Sequence, residues 1–71
     1  MDIKVGHYYT THDGSIFLIL NKTISTFRGI CVFDDAGHDT NKYMYFDKEG
    51  KCEGYSNYNL GGEVNFRNKG V

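Results

Sequence analysis

The chain has 71 residues with no proline or tryptophan, two cysteines, 15% aromatic residues and a formal charge of −1. Residues 1–15 carry Asp, Lys, His and Gly where a signal peptide needs an apolar stretch, and the longest apolar run, IFLIL at 16–20, falls far short of the roughly 18–20 residues that span a bilayer, so a soluble protein of the cytoplasm with no membrane association is expected. Eight Lys plus Arg against nine Asp plus Glu match neither the strongly basic face of a tight nucleic-acid binder nor the acid load of a phosphate mimic.

The clearest element comes first. KVGHYYTTHDGSIFLIL pairs an aromatic and β-branched run with an apolar run across Asp13-Gly14, the signature of a two-residue hairpin loop. With that loop, His12 faces Ser15, Thr11 faces Ile16, Tyr9 faces Leu18 and His7 faces Leu20. Val5, Tyr9, Thr11, Ile16, Leu18 and Leu20 then share the core face. Tyr8, Thr10, Phe17 and Ile19 fall on the opposite face, which is too apolar to be left wholly in water.

After the polar link NKTIS, the run TFRGICVF at 26–33 also has apolar residues on both sides. The turn DDAGHD leads into a strand NKYMYF at 41–46, with Tyr43 and Tyr45 facing away from Met44 and Phe46. A turn DKEG, a strand KCEGY at 51–55, a loop SNYNLGG at 56–62 and a short strand EVNFR at 63–67 follow, and 67–71 reads as a flexible tail. No window keeps a helical period, because glycines interrupt each one. The expected fold is all-β: residues 1–71 form one small domain, a five- or six-stranded antiparallel meander making a small barrel or twisted sheet. A chain this short buries only roughly 60–65% of its unfolded surface.

Charge is unevenly spread: segment 34–53 carries a net −3 and the remainder a net +2. The phrase Phe-Asp-x-x-Gly occurs twice, at 33–37 and 46–50. It fails the calcium-loop pattern, since position 6 counted from Asp34 is Asp39, and counting from Asp47 puts Gly50 at position 4. Asp and Gly at these spacings are turn chemistry, the Asp accepting from its own backbone and the Gly taking the left-handed conformation. Two cysteines cannot supply a four-ligand zinc site, and Cys31 and Cys52 read as small core residues. His7 and His12 have opposite parity on one strand, and Ser15, Ser25 and Ser56 have no nucleophile elbow. No enzymatic activity, cofactor or metal is expected.

Six tyrosines remain: Tyr8, Tyr9, Tyr43, Tyr45, Tyr55 and Tyr58. They suit cross-strand pairing, a protein interface or base stacking. The run Val5-Gly6-x-x-Tyr9-x-Thr11-x-Asp13-Gly14, continued through FRGICVF and a closing NLGGEV, resembles small accessory proteins of bacteriophages and prophages over most of residues 4–64. The resemblance implies a phage-borne protein acting in the bacterial host cytoplasm. Such proteins often inhibit a host enzyme or a defence system, anti-CRISPR action being one example.

The surplus of apolar area points to a non-enzymatic protein that binds a protein surface through Tyr8, Phe17 and Ile19, and the resemblance implies that the partner is a host protein which it modulates or inhibits. A symmetric homodimer would bury the same surplus. The alternative is a small barrel that binds single-stranded nucleic acid through Arg28, Lys42, Tyr43 and Tyr45.

Overall fold

The structure, a computed structural model, describes residues 2–34 and 40–66. The expected flexible tail at 67–71 and most of the turn DDAGHD lie outside the described residues. Five antiparallel strands form one curled sheet, a half-barrel: β1 (Tyr8–Thr11), β2 (Ile16–Lys22), β3 (Thr26–Phe33), β4 (Tyr43–Asp47) and β5 (Leu60–Val64). The all-β expectation therefore holds. The spatial order is β4-β3-β2-β1-β5, so the first four strands meander and β5 returns to the free side of β1. Among the described residues the only helical element is a single 3₁₀ turn, Ser56–Tyr58, and no helix is long and apolar enough to cross a membrane.

The β1–β2 hairpin departs from the two-residue reading. Thr11 N–H donates to the Ser15 carbonyl at 2.8 Å and Gly14 N–H to the Thr11 carbonyl at 3.1 Å, so the loop is His12-Asp13-Gly14. Gly14 takes φ 89°, which closes a three-residue loop. The Asp13 carboxylate accepts from the Thr11 hydroxyl and from Ser15 N–H, holding the loop from inside. The register becomes Tyr8 with Leu18, Tyr9 with Phe17 and Thr10 with Ile16. A slip of one residue turns the whole of β2 over. Phe17 and Ile19 thus enter the core with Tyr9 and Thr11, while Ile16, Leu18 and Leu20 leave it.

The core is Ile3, Tyr9, Phe17, Ile19, Phe27, Cys31, Phe46, Cys52 and Leu60, with Met44 and Tyr58 packed against it. Phe17 meets Phe46 and Tyr58 edge-on, at ring-centroid distances of 5.3 and 5.8 Å, the geometry aromatic quadrupoles prefer. Ile3 is held over the core by the phenol of Tyr9, which accepts from Lys4 N–H at 2.7 Å and donates to the Asp2 carbonyl at 3.3 Å. Both cysteines are free and buried, and burial pushes their thiols up, which keeps them protonated and inert.

KCEGY does not form a strand. Only Cys52 bridges back to Phe46, and Gly54 at φ 82° turns the chain away. The last strand instead begins at Leu60, earlier than read, because Leu60–Val64 finds a partner in β1. The second Phe-Asp-x-x-Gly phrase is a turn as expected. Asp47 Oδ1 accepts from the N–H groups of Glu49 and Lys51, each at 2.9 Å, and Gly50 sits at φ 86°. The Gly50 carbonyl then accepts from Leu60 N–H at 2.8 Å, joining this turn to β5 and curling the sheet.

Gly29, in the middle of β3, leaves little room for a side chain. An added Cβ would lie 3.2 Å from a ring carbon of Phe46, 3.3 Å from Ile19 Cδ1 and 3.3 Å from the Leu18 carbonyl oxygen. Gly29→Ala is expected to cost about 1–2 kcal/mol by overpacking, measured as a lower urea midpoint with an unchanged slope.

Candidate interaction surface

Alternation along the strands sorts the side chains onto two faces. Phe17, Ile19, Phe27, Cys31 and Phe46 point inward. Tyr8, Ile16, Leu18, Ile30, Val32, Tyr43 and Tyr45 point outward. The pairing registers align one outward row across all five strands: Tyr43 opposite Ile30, Ile30 opposite Leu18, Leu18 opposite Tyr8, and Tyr8 opposite Val64. Every member of the row is apolar or aromatic. No helix among the described residues lies over it. Tyr43 is 49% exposed and Tyr45 57%, while Tyr8, Leu18, Ile30 and Val64 are half-buried by their neighbours. The Phe66 ring extends the row, 5.4 Å from Tyr8.

Of the three residues expected to form a protein interface, only Tyr8 lies on this surface. Phe17 and Ile19 are each 0% exposed and offer nothing to a partner. The correction follows from the three-residue loop: side chains still alternate along β2, but the strand sits one residue away from the two-residue register, which exchanges its faces. Leu18, Ile16 and Ile30 take the places of Phe17 and Ile19. Their signal was the Thr11-x-Asp13-x-Ser15 spacing, in which a hydroxyl and an amide both reach one carboxylate and so favour the longer loop.

The four residues of the nucleic-acid alternative divide. Arg28 lies opposite Tyr45 on β4, and its guanidinium carbon sits 4.3 Å from the Tyr43 ring centroid, a cation–π stack. Arg28, Tyr43 and Tyr45 are therefore brought together on the outward face. Lys42 is not with them. Its ammonium donates to Tyr58 Oη at 2.6 Å and to Asp34 Oδ2 at 3.1 Å. The Tyr58 hydrogen bond outweighs burial and, with Asp34, raises the Lys42 pKa well above the ordinary lysine value, so the group is a fixed cation committed to the fold.

Three polar features lie away from the outward row. His7 Nδ1 and Glu63 Oε2 stand 2.6 Å apart at one end of the sheet, both partly exposed. A groove of about 780 Å³ runs beside β4, lined by Tyr45, Asp47, Cys52, Tyr55 and Asn59 among others. Hydrogen bonds from the turn amides, led by Lys51, hold the Asp47 carboxyl below the usual range, which fits its role as a turn cap. Among the described residues no group of three or more His, Cys, Asp or Glu side chains is arranged to hold a metal ion. The site best supported is the outward sheet face. No family model matches the chain, and no match was found among curated proteins or among solved structures.

Proposed function

We propose that this chain is a non-enzymatic binding protein, a phage-borne accessory factor of the bacterial cytoplasm, whose outward sheet face docks on a host protein and modulates or inhibits it. The observation that carries this reading is the row Tyr43–Ile30–Leu18–Tyr8–Val64. A sheet with one solvated face ordinarily alternates apolar-in with polar-out. Here the solvated face is aliphatic at its centre and tyrosine-rich towards β4, the composition of an interface core flanked by rings that combine area with a hydroxyl. The phage setting comes from the resemblance of the opening motif.

The test is affinity capture from bacterial lysate with three proteins: wild type, Leu18→Arg/Ile30→Arg, and Lys48→Glu as a control in the β4 turn. Circular dichroism first confirms that all three are folded. A partner held by wild type and by Lys48→Glu, with capture at least tenfold weaker for the double variant, is the expected result. A partner captured equally by the double variant, or a wild-type monomer that captures none, overturns the reading.

The stack of Arg28 on Tyr43 beside Tyr45 favours a second reading, single-stranded nucleic acid laid along β3 and β4. With Lys42 turned inward, Arg28 is the one outward cation among the described residues of β3 and β4, so binding through them would be weak and would have a shallow salt slope. Titration of a fluorescent oligothymidine at two salt concentrations checks it.

A further inference from the structure

Resting on that docking reading, we infer that the partner presents an acidic amphipathic segment, with a carboxylate set against Arg28 and apolar side chains against Tyr43, Ile30 and Leu18. Arg28 is the only cation among the outward residues of β3 and β4, and it adjoins Ile30 along β3. Its guanidinium lies on the Tyr43 ring, and among the described residues it makes no ion pair. Anything that covers Tyr43, Ile30 and Leu18 also strips water from Arg28. A buried guanidinium without a counter-charge costs more than the surrounding apolar contact returns, so a purely apolar partner is rejected and one with a carboxylate at that spot is selected. The stack fixes the donor fork before binding, which suits bidentate recognition of a planar carboxylate.

Among the described residues of the outward face, a second copy offers little of that group. The one carboxylate on the outward side of β4 is Asp47, at the strand's end, where Oδ1 is engaged by the turn amides. Asp47 lies opposite Thr26, the first residue of β3, so a two-fold contact that pairs Asp47 with Arg28 is centred on that end of β3 and β4 and not on the row through Leu18, Tyr8 and Val64. A phosphate backbone would satisfy Arg28, yet it has no use for the aliphatic stretch Ile16, Leu18, Ile30 and Val32. The row and the charge together fit a protein segment in which acidic and apolar residues alternate in position.

Three short helical peptides of equal apolar content test the assignment: leucine with glutamate, leucine with glutamine, and leucine with lysine. Binding is followed by amide chemical shifts of the whole chain. The leucine–glutamate peptide is expected to bind at least tenfold tighter than the other two, with shifts centred on Leu18, Arg28, Ile30 and Tyr43. Arg28→Gln should remove the preference, Arg28→Lys should keep part of it, and Arg28→Glu should transfer it to the lysine peptide. Equal binding of all three to wild type on this face overturns the carboxylate assignment while leaving the docking face standing. Shifts confined to other surfaces, or no shift with any peptide at about millimolar concentration, overturn it as well. So does an oligothymidine that displaces the glutamate peptide and binds tighter. Failure of the docking reading has a separate signature, in lysate capture that is indifferent to Leu18→Arg/Ile30→Arg.

Discussion

Phe17→Ala is expected to remove most of the stability of this protein. Truncating a fully buried phenylalanine costs about 3–5 kcal/mol in lost transfer energy and residual cavity. At about 0.05–0.15 kcal/mol per residue, a domain of this size has only about 4–10 kcal/mol in all. Phe17 also carries two edge-on ring contacts, to Phe46 and Tyr58, and the Tyr58 contact helps to hold the 3₁₀ turn against the sheet. Thermal denaturation followed by circular dichroism should show the midpoint falling by roughly 15–30 °C. Its neighbour provides the control. Leu18→Ala removes a half-buried side chain from the outward face and should cost about 1 kcal/mol. The order of the two effects reads out the hairpin register directly: a two-residue loop would reverse it, with Leu18 the costly position and Phe17 the tolerant one.

Lys42→Met is the second large effect. The Asp34 side chain is only 5% exposed and its carboxylate faces the Lys42 ammonium at 3.1 Å, while Lys42 itself is 24% exposed. Removing Lys42 takes from Asp34 one counter-charge and from Tyr58 one hydrogen bond; losing one partner of a buried pair costs about 3–5 kcal/mol when both are dry and meet nothing else. Since Lys42 keeps some contact with water, a loss of about 2–3 kcal/mol is expected by urea denaturation. Comparing Lys42→Met, Asp34→Asn and the double variant should give a coupling of at least about 1 kcal/mol between the two residues. The pH dependence has a definite sign. Because the folded Lys42 value is raised, its contribution is fully present below the unfolded lysine value and disappears only as pH rises through the folded one, so it is constant across neutral pH. Asp13 behaves oppositely. Burial raises its pKa, but hydrogen bonds from Thr11, Ser15 and Asn57 outweigh burial and lower it overall. Its contribution is present above the unfolded carboxylate value of about 3.9 and is lost as pH falls through the folded one, so stability should decline on the acid side.

The strand content was legible because β-branched and aromatic runs bounded by glycine turns have a period of two and no helical competitor. The Asp47 turn was legible for a local reason too, since Asp and Gly three apart satisfy their own backbone. What escaped depended on contacts between distant segments. Asp13-Gly14 serves a two-residue and a three-residue loop equally well. The choice between them rests on Thr11 and Ser15 meeting one carboxylate, and on Phe17 rather than Leu18 fitting against Phe46. Gly61 and Gly62 disguised the start of β5, which is strand only because β1 lies alongside it. Lys42 looked like a surface cation, yet Tyr58, sixteen residues further along the chain, claims it. The aromatic pair Tyr43 and Tyr45 was correctly set apart from Met44 and Phe46, because β4 contains no bulge to disturb its parity.

The sheet is curled but has two lateral borders, and how they are finished governs what happens in a concentrated solution. On the β4 side the border is sealed at Phe46 and Asp47 by the returning segment around Cys52. On the β5 side it is five residues long, broken by an irregularity opposite Thr10 and Thr11, and carries Glu63. Short, kinked and charged borders resist the addition of further strands. Crowded molecules should therefore clump through their greasy broad side into amorphous precipitate, cleared by Leu18→Arg, instead of growing into thioflavin-positive fibres.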